Sequence, residues 1–157
     1  MNRITEFSPC RLYRYTLWRE WEASLPYTMF IGLNPSTADE TKDDPTIRRC
    51  IEFSKSFGHG SLCMTNLFAW RDTKPENMKL AKDPIGPENN DWLEASASAA
   101  GVVIAAWGKH GAFMGRGVFV KGLIRPWAML MCLRTNKDGS PEHPLYLPKT
   151  LTPIPYP

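Results

Sequence analysis

No window of this chain approaches the roughly 18 consecutive apolar residues of a membrane-crossing helix. The opening stretch MNRITEFSPCRLYRY also lacks the apolar centre of a signal peptide. A membrane partner is therefore not expected, and the cytoplasm is the expected location. The four cysteines, Cys10, Cys50, Cys63 and Cys132, contain no CxxC pair. That excludes the spacings of zinc ribbons and iron–sulfur clusters and leaves reduced core thiols as the expectation. His59, His110 and His143 are far apart, so neither a metal site nor a cofactor is expected. Repeats, low-complexity tracts and long linkers are missing too, which leaves one domain over residues 1–157.

Charge of one sign is also missing, since 19 Lys and Arg face 16 Asp and Glu. The distribution is less even. Residues 101–157 hold seven basic residues against Asp138 and Glu142, whereas residues 72–94 hold three against six acids. This asymmetry permits an anionic partner on the C-terminal half without demanding one.

What is present is a series of apolar runs alternating with helical patterns. CRLYRYTLWREW, Cys10 to Trp21, alternates apolar and polar residues and suits a half-exposed edge strand, while PYTMFIGL suits a central strand. Asp44-Pro45 reads as an N-cap and first helical residue. Ile47, Cys50, Ile51, Ser54 and Phe57 then make one apolar stripe that stops at Gly58. GSLCMTNLF returns to strand, residues 70–86 form a charged loop, and residues 87–100 form a second helix. GVVIAAWG is a buried strand, residues 109–124 a helix weakened by glycines, PWAMLMCL a last strand, and the proline-rich remainder a loop. The order β-β-α-β-α-β-α-β implies a three-layer α/β/α sandwich around a mostly parallel central sheet.

Each apolar strand ends in chemistry. Tyr27–Leu33 runs into Asn34-Pro35-Ser36, Ser61–Thr65 into Asn66, Val102–Ala106 into Trp107-Gly108-Lys109-His110, and Trp127–Leu133 into the loop carrying His143-Pro144. In a parallel sheet these ends open on one edge, where ligands bind. Singly, each residue has a plain alternative: an asparagine after a strand makes turns, and a histidine caps or packs a helix.

Four of these stretches resemble the uracil-DNA glycosylase superfamily, in its order. GLNPS (Gly32, Leu33, Asn34, Pro35, Ser36) is similar to the G-I-N-P-G water-activating loop of the mismatch-specific branch. SLCMTNLF, with Asn66 and Phe68, resembles the strand ending in a base-reading asparagine. GVVIAAWGKHGAFMGR, with Trp107, Gly108 and Lys109, resembles a strand ending in W-G-S-H-A, and EHPLYLPK resembles the H-P-S-P-L-S loop with its histidine and wedge leucine. The string LNPSTADETKDDPTIRR with TNLFAWR more specifically resembles a bacterial and phage family known only as domain of unknown function 1643. The chain departs from the superfamily pattern in having no aspartate within Gly32–Ser36 and in carrying Leu145-Tyr146 in place of S-P.

The resemblance implies a uracil-DNA glycosylase-like fold and an enzyme that hydrolyses the N-glycosidic bond of a uracil-like or modified base in DNA or a nucleoside. Asn34 would position water and His143 would stabilise charge on the leaving base. Asn66 would read the base edge, with Gly32, Leu33, Pro35, Ser36, Phe68, Trp107, Gly108 and Lys109 around the ligand and Tyr146 or Leu147 as a wedge. The alternatives are a non-catalytic nucleic-acid or nucleotide-binding module and a phage interaction protein on the same fold. DETKDD after the loop would repel a phosphate backbone facing it. Arg48 is expected to pair with Glu52 and Arg49 to hold a phosphate or a structural bridge.

Overall fold

The order of local elements leaves the sheet topology open, because strand neighbours are chosen by which faces bury together. A computed structural model describes residues 1–157. It is an α/β structure with one seven-stranded mixed sheet, in spatial order β1-β2-β4-β3-β5-β6-β7. The strands are β1 (Asn2–Phe7), β2 (Arg14–Glu20), β3 (Tyr27–Gly32), β4 (Ser61–Asn66), β5 (Val102–Ala105), β6 (Leu130–Cys132) and β7 (Ile154–Pro155). The helices are α1 (Pro45–Ser56), α2 (Pro75–Lys79), α3 (Asn89–Ala97) and α4 (Arg116–Ile124). None is long and apolar enough to cross a membrane.

The sheet is only partly parallel, which corrects the expectation of a mostly parallel one. β4, β3, β5 and β6 run parallel, but β1, β2 and β7 join antiparallel at the flanks. The first 13 residues hide the reason. β1 is a strand that the sequence pattern does not announce, since its exposed residues Asn2 to Ile4 carry no buried face. Pairing along β2, it makes that strand interior rather than an edge.

β3 feeds two separate apolar clusters by its alternation. Phe30 packs with Ile104, Leu62 and the α1 stripe of Ile47, Cys50, Ile51 and Phe53. Met29 and Ile31 pack with Val103, Ala105, Leu93 and Ala97 of α3, and Val120 and Ile124 of α4. Each fully buried side chain of this kind contributes about 1.5–3 kcal/mol, so packing decides where α1 lies. Its start is set more locally. The Asp44 carboxylate accepts from the Ile47 N–H at 2.9 Å, with Pro45 opening the helix. The helix stops at Phe57, and Gly58 follows in a left-handed conformation at φ +78°.

The expected helix over 109–124 divides. Residues Lys109–Gly115 form a 3-10 segment, broken by Phe113 in an extended conformation and by Met114 and Gly115 at positive φ, before α4 begins. α2 lies inside the expected loop over 70–86. Cys50, Cys63 and Cys132 are buried thiols as expected, but Cys10 is exposed, and all four are free.

Candidate functional site

β3 and β4 end together, since Gly32 is the register partner of Asn66. From β3 the chain crosses by α1 to β4 on one side, and from the adjacent β5 it crosses by α4 to β6 on the other. Connections that diverge from neighbouring parallel strands open a crevice at their C-terminal ends. The crevice here is a cleft of about 460 Å³ whose walls include Arg14, residues 32–37, Asp44, Asn66, Asp72, His143 and Leu145. A wider hollow of about 830 Å³ adjoins it across Leu33, Pro75 and His143. This hollow is lined by Trp107, Gly108, Lys109, His110, Arg134, Lys137, Asp138, Glu142 and Tyr146.

Gly32, Leu33, Asn34, Pro35, Ser36, Asn66 and His143 therefore border one cleft, and Trp107, Gly108, Lys109 and Tyr146 border its neighbour. Phe68 reaches neither: it is fully buried in the second apolar cluster, against Phe113. Leu147 is buried in the first cluster, so of the two wedge candidates only Tyr146, 92% exposed, stands free.

Asn66 is 2% exposed, yet its Nδ2 has no hydrogen-bond partner. A buried amide N–H left unpaired costs about 1–3 kcal/mol. The strand end is otherwise held independently of this amide, because the Asn89 Nδ2 donates to the Asn66 and Leu67 carbonyls at 3.0 Å each. Gly32 makes room for it: a Cβ there would lie 2.8 Å from Asn66 Oδ1.

Asn34 is partly committed to the scaffold. Its Nδ2 donates to the carbonyls of Asp72 at 2.9 Å and Pro35 at 3.3 Å, fixing which way the amide faces. His143 Nδ1 accepts from the Leu145 N–H at 3.2 Å. That bond assigns the proton of the neutral ring to Nε2. His143 is solvent-exposed at the rim of the cleft; what desolvation the rim imposes holds its pKa below the ordinary histidine value, while the Asp44 carboxylate pulls the other way. The neutral ring thus presents Nε2–H as its donor.

Two acids of the segment after the loop, Glu40 and Asp43, are paired with arginines, while Asp44 stays in the cleft wall. Asp43 meets Arg19 at 2.7 Å and Arg3 at 3.5 Å, and Glu40 meets Arg11 at 3.1 Å. Nor does Arg48 pair with Glu52: it donates to the Asp43 carbonyl, and Arg49 and Lys149 take Glu52 at 3.6 and 3.4 Å. Arg49 also donates to the Leu147 carbonyl, a structural bridge from α1 to the histidine loop.

The other histidines have separate work. His59 Nδ1 hydrogen-bonds Thr28 Oγ1 at 2.8 Å, and His110 Nδ1 meets Lys79 Nζ at 3.1 Å. No group of three or more His, Cys, Asp or Glu side chains is placed to hold a metal ion.

Sequence reasoning missed the three charged members of the cleft wall, Arg14, Asp44 and Asp72. Arg14 lies in an alternating strand pattern that gives no sign of a ligand, and Asp44 was legible only as a helix cap.

The family model described as "Protein of unknown function (DUF1643)" matches residues 14–145, from the first residue of β2 to the histidine loop. No curated protein and no solved structure matches the chain. The match takes in every candidate residue of the main cleft, and on its extent the chain belongs to the DUF1643 family.

Proposed function

We propose that this protein is a DNA glycosylase-like hydrolase that releases a uracil-like or modified base from DNA or a nucleoside. The observation that carries the reading is the buried, unpartnered amide of Asn66 in the wall of a cleft that also holds His143. An unpaired amide offers one donor and one acceptor to a base edge, matching the O4 and N3–H of a uracil-like ring and mismatching an amino group. Helices packed through separate clusters on β3 support a three-layer, uracil-DNA glycosylase-like arrangement.

In this reading the base enters against Asn66, and the Asn34 Oδ1, the free end of an amide held through its nitrogen, orients a water towards the sugar C1′. The C1′–N bond breaks with its electron pair leaving on the base. His143 Nε2–H donates to the base oxygen where that charge collects, a contribution of about 3–4 kcal/mol for one such donor. An amide is not a general base. The water therefore adds to C1′ late, after the bond to the base has largely broken, its proton passing to the departed base anion or to solvent, and the enzyme is slow or selective.

The second reading, a nucleotide- or nucleic-acid-binding module, draws on the bonds from Asn34 Nδ2 to two carbonyls, which make that residue a brace as well. Oligonucleotides bearing uracil, mismatched thymine or hypermodified pyrimidines, single- and double-stranded, separate the two when scored for abasic sites. Base release that falls in Asn34→Ala with affinity preserved supports the enzyme. Selective binding with no release from any substrate assigns the module instead.

A further inference from the structure

Three arginines are buried in this molecule, and two of them leave no buried donor unpaired. Arg19 donates to Asp43, to the Trp18 carbonyl and to the carbonyls of Asp39 and Lys42. Arg116 donates from Nε to the Leu67 carbonyl and from Nη2 to Asn90 Oδ1. Arg14 is the exception. It is 2% exposed, its side chain makes one hydrogen bond, from Nη1 to the Ala38 carbonyl at 3.1 Å, and its Nε is buried with no partner. It is also the one among the three that borders the cleft.

Burial lowers its pKa to about 10, against the pull of Asp44, so the group is charged at pH 7. A guanidinium presents five N–H donors in a planar fork that matches the oxygens of a phosphate. Pinning the Ala38 carbonyl uses one donor and does not require the charge. Arg19, five residues further along β2, shows how the same loop is held when holding is the whole task.

The geometry points to Arg14 as the phosphate-binding residue of the cleft, so that the ligand is a nucleotide unit and not a bare nucleoside or free base. This rests on the proposed base pocket at Asn66 for the nucleoside part, but not for the anion. Asp44 shares the wall, and its carboxylate opposes a second negative charge. A singly charged phosphodiester of a strand therefore fits better than a doubly charged monophosphate.

The test is calorimetric binding to the full chain of deoxyuridine, deoxyuridine 5′-monophosphate, a deoxyuridine-containing dinucleotide with one phosphodiester, and inorganic phosphate. Each is measured on the wild type, Arg14→Gln and Arg14→Lys. Either phosphate-bearing ligand is expected to bind about tenfold more tightly than deoxyuridine, the dinucleotide gaining most. Arg14→Gln is expected to erase the gain while changing deoxyuridine affinity by less than about twofold. A larger gain for the monophosphate names a free nucleotide as the source of the phosphate and still supports Arg14.

Equal binding of nucleoside and both nucleotides overturns the assignment and leaves the base pocket standing. Binding of inorganic phosphate, lost in Arg14→Gln, with no preference for any base, supports the anion site and sinks the base pocket. Absence of binding by every probe overturns the assignment. Should Arg14→Gln fail to fold, Arg14→Lys decides: it keeps the charge but loses the fork, and an unchanged nucleotide-to-nucleoside ratio there refutes the role.

Discussion

Replacing Asn66 by leucine should stabilise the protein while destroying its ligand preference. The side chain is 2% exposed and its Nδ2 N–H has no partner, so the folded state carries an uncompensated desolvation of about 1–3 kcal/mol. Leucine has nearly the same shape and no polar atom to strand. Misfit against the Gly32 backbone, which lies close to the amide, offsets some of the gain. A net gain of about 1 kcal/mol corresponds to roughly 2–4 °C in Tm for a chain of this size. Asn89 is the internal control. It is fully buried close by and its Oδ1 also lacks a partner, but unlike Asn66 its Nδ2 donates two bonds at 3.0 Å, to the Asn66 and Leu67 carbonyls. Asn89→Leu breaks both and leaves two carbonyls short, a loss of about 1–3 kcal/mol. Thermal and urea unfolding of the two variants side by side should therefore show shifts of opposite sign. A drop in Asn66→Leu as large as that in Asn89→Leu would mean that the Asn66 amide is structural, and the base-reading argument would fail with it.

Lowering the pH should remove His143 as a neutral donor. Its folded pKa lies below the unfolded value, as do those of His59 and His110. The contribution to stability is thus complete above the unfolded histidine value of about 6.5 and is lost as pH falls below it; a denaturation midpoint flat from pH 8 to 5 would contradict this. Gly108→Ala should cost about 1–3 kcal/mol in urea unfolding. Open space surrounds the site, but φ +70° with ψ −169° is a glycine-only conformation. Asp44→Ala should cost about 1 kcal/mol through the lost cap, while Asp44→Asn keeps the cap and strengthens binding of a phosphate-bearing probe; weaker binding in Asp44→Asn would show that the carboxylate does not oppose the ligand's charge.

The parts of the fold legible in sequence were those set by local physics. Asp44-Pro45 announced α1, Gly58 closed it, and the apolar runs of β3, β4 and β5 located the central strands. What escaped depended on distant partners. β2 reads as half-exposed because Arg14, Thr16 and Arg19 are polar, but all three are buried. Arg19 is admitted to the interior by carbonyls and a carboxylate some 20 residues away in sequence, which no local pattern records. β1 was invisible because an outer strand with one face open needs no apolar repeat. At the site, placement at strand ends was enough to bring Asn34, Asn66 and His143 to one cleft. The resemblance put Phe68 beside the ligand, and it lies in the core instead. The chain turns back after β4, where the Leu67 and Phe68 N–H groups bond the Gly32 and Leu33 carbonyls.

The arginine clamps on the acidic loop bear on how binding will respond to salt. Ser36, Thr37 and Asp44 belong both to the cleft wall and to the segment that those clamps hold in place. Arg19–Asp43 is shielded, with the arginine side chain fully buried, but Arg11–Glu40 and Arg3–Asp43 are open enough for ions to screen. Raising ionic strength will therefore do two things at once: displace counterions from any nucleic-acid ligand and slacken the wall that receives it. A plot of log affinity against log salt, read by the usual slope per phosphate, will count more phosphate contacts than the cleft makes. The same titration on Arg11→Gln, where the looser wall is already present at low salt, measures the excess.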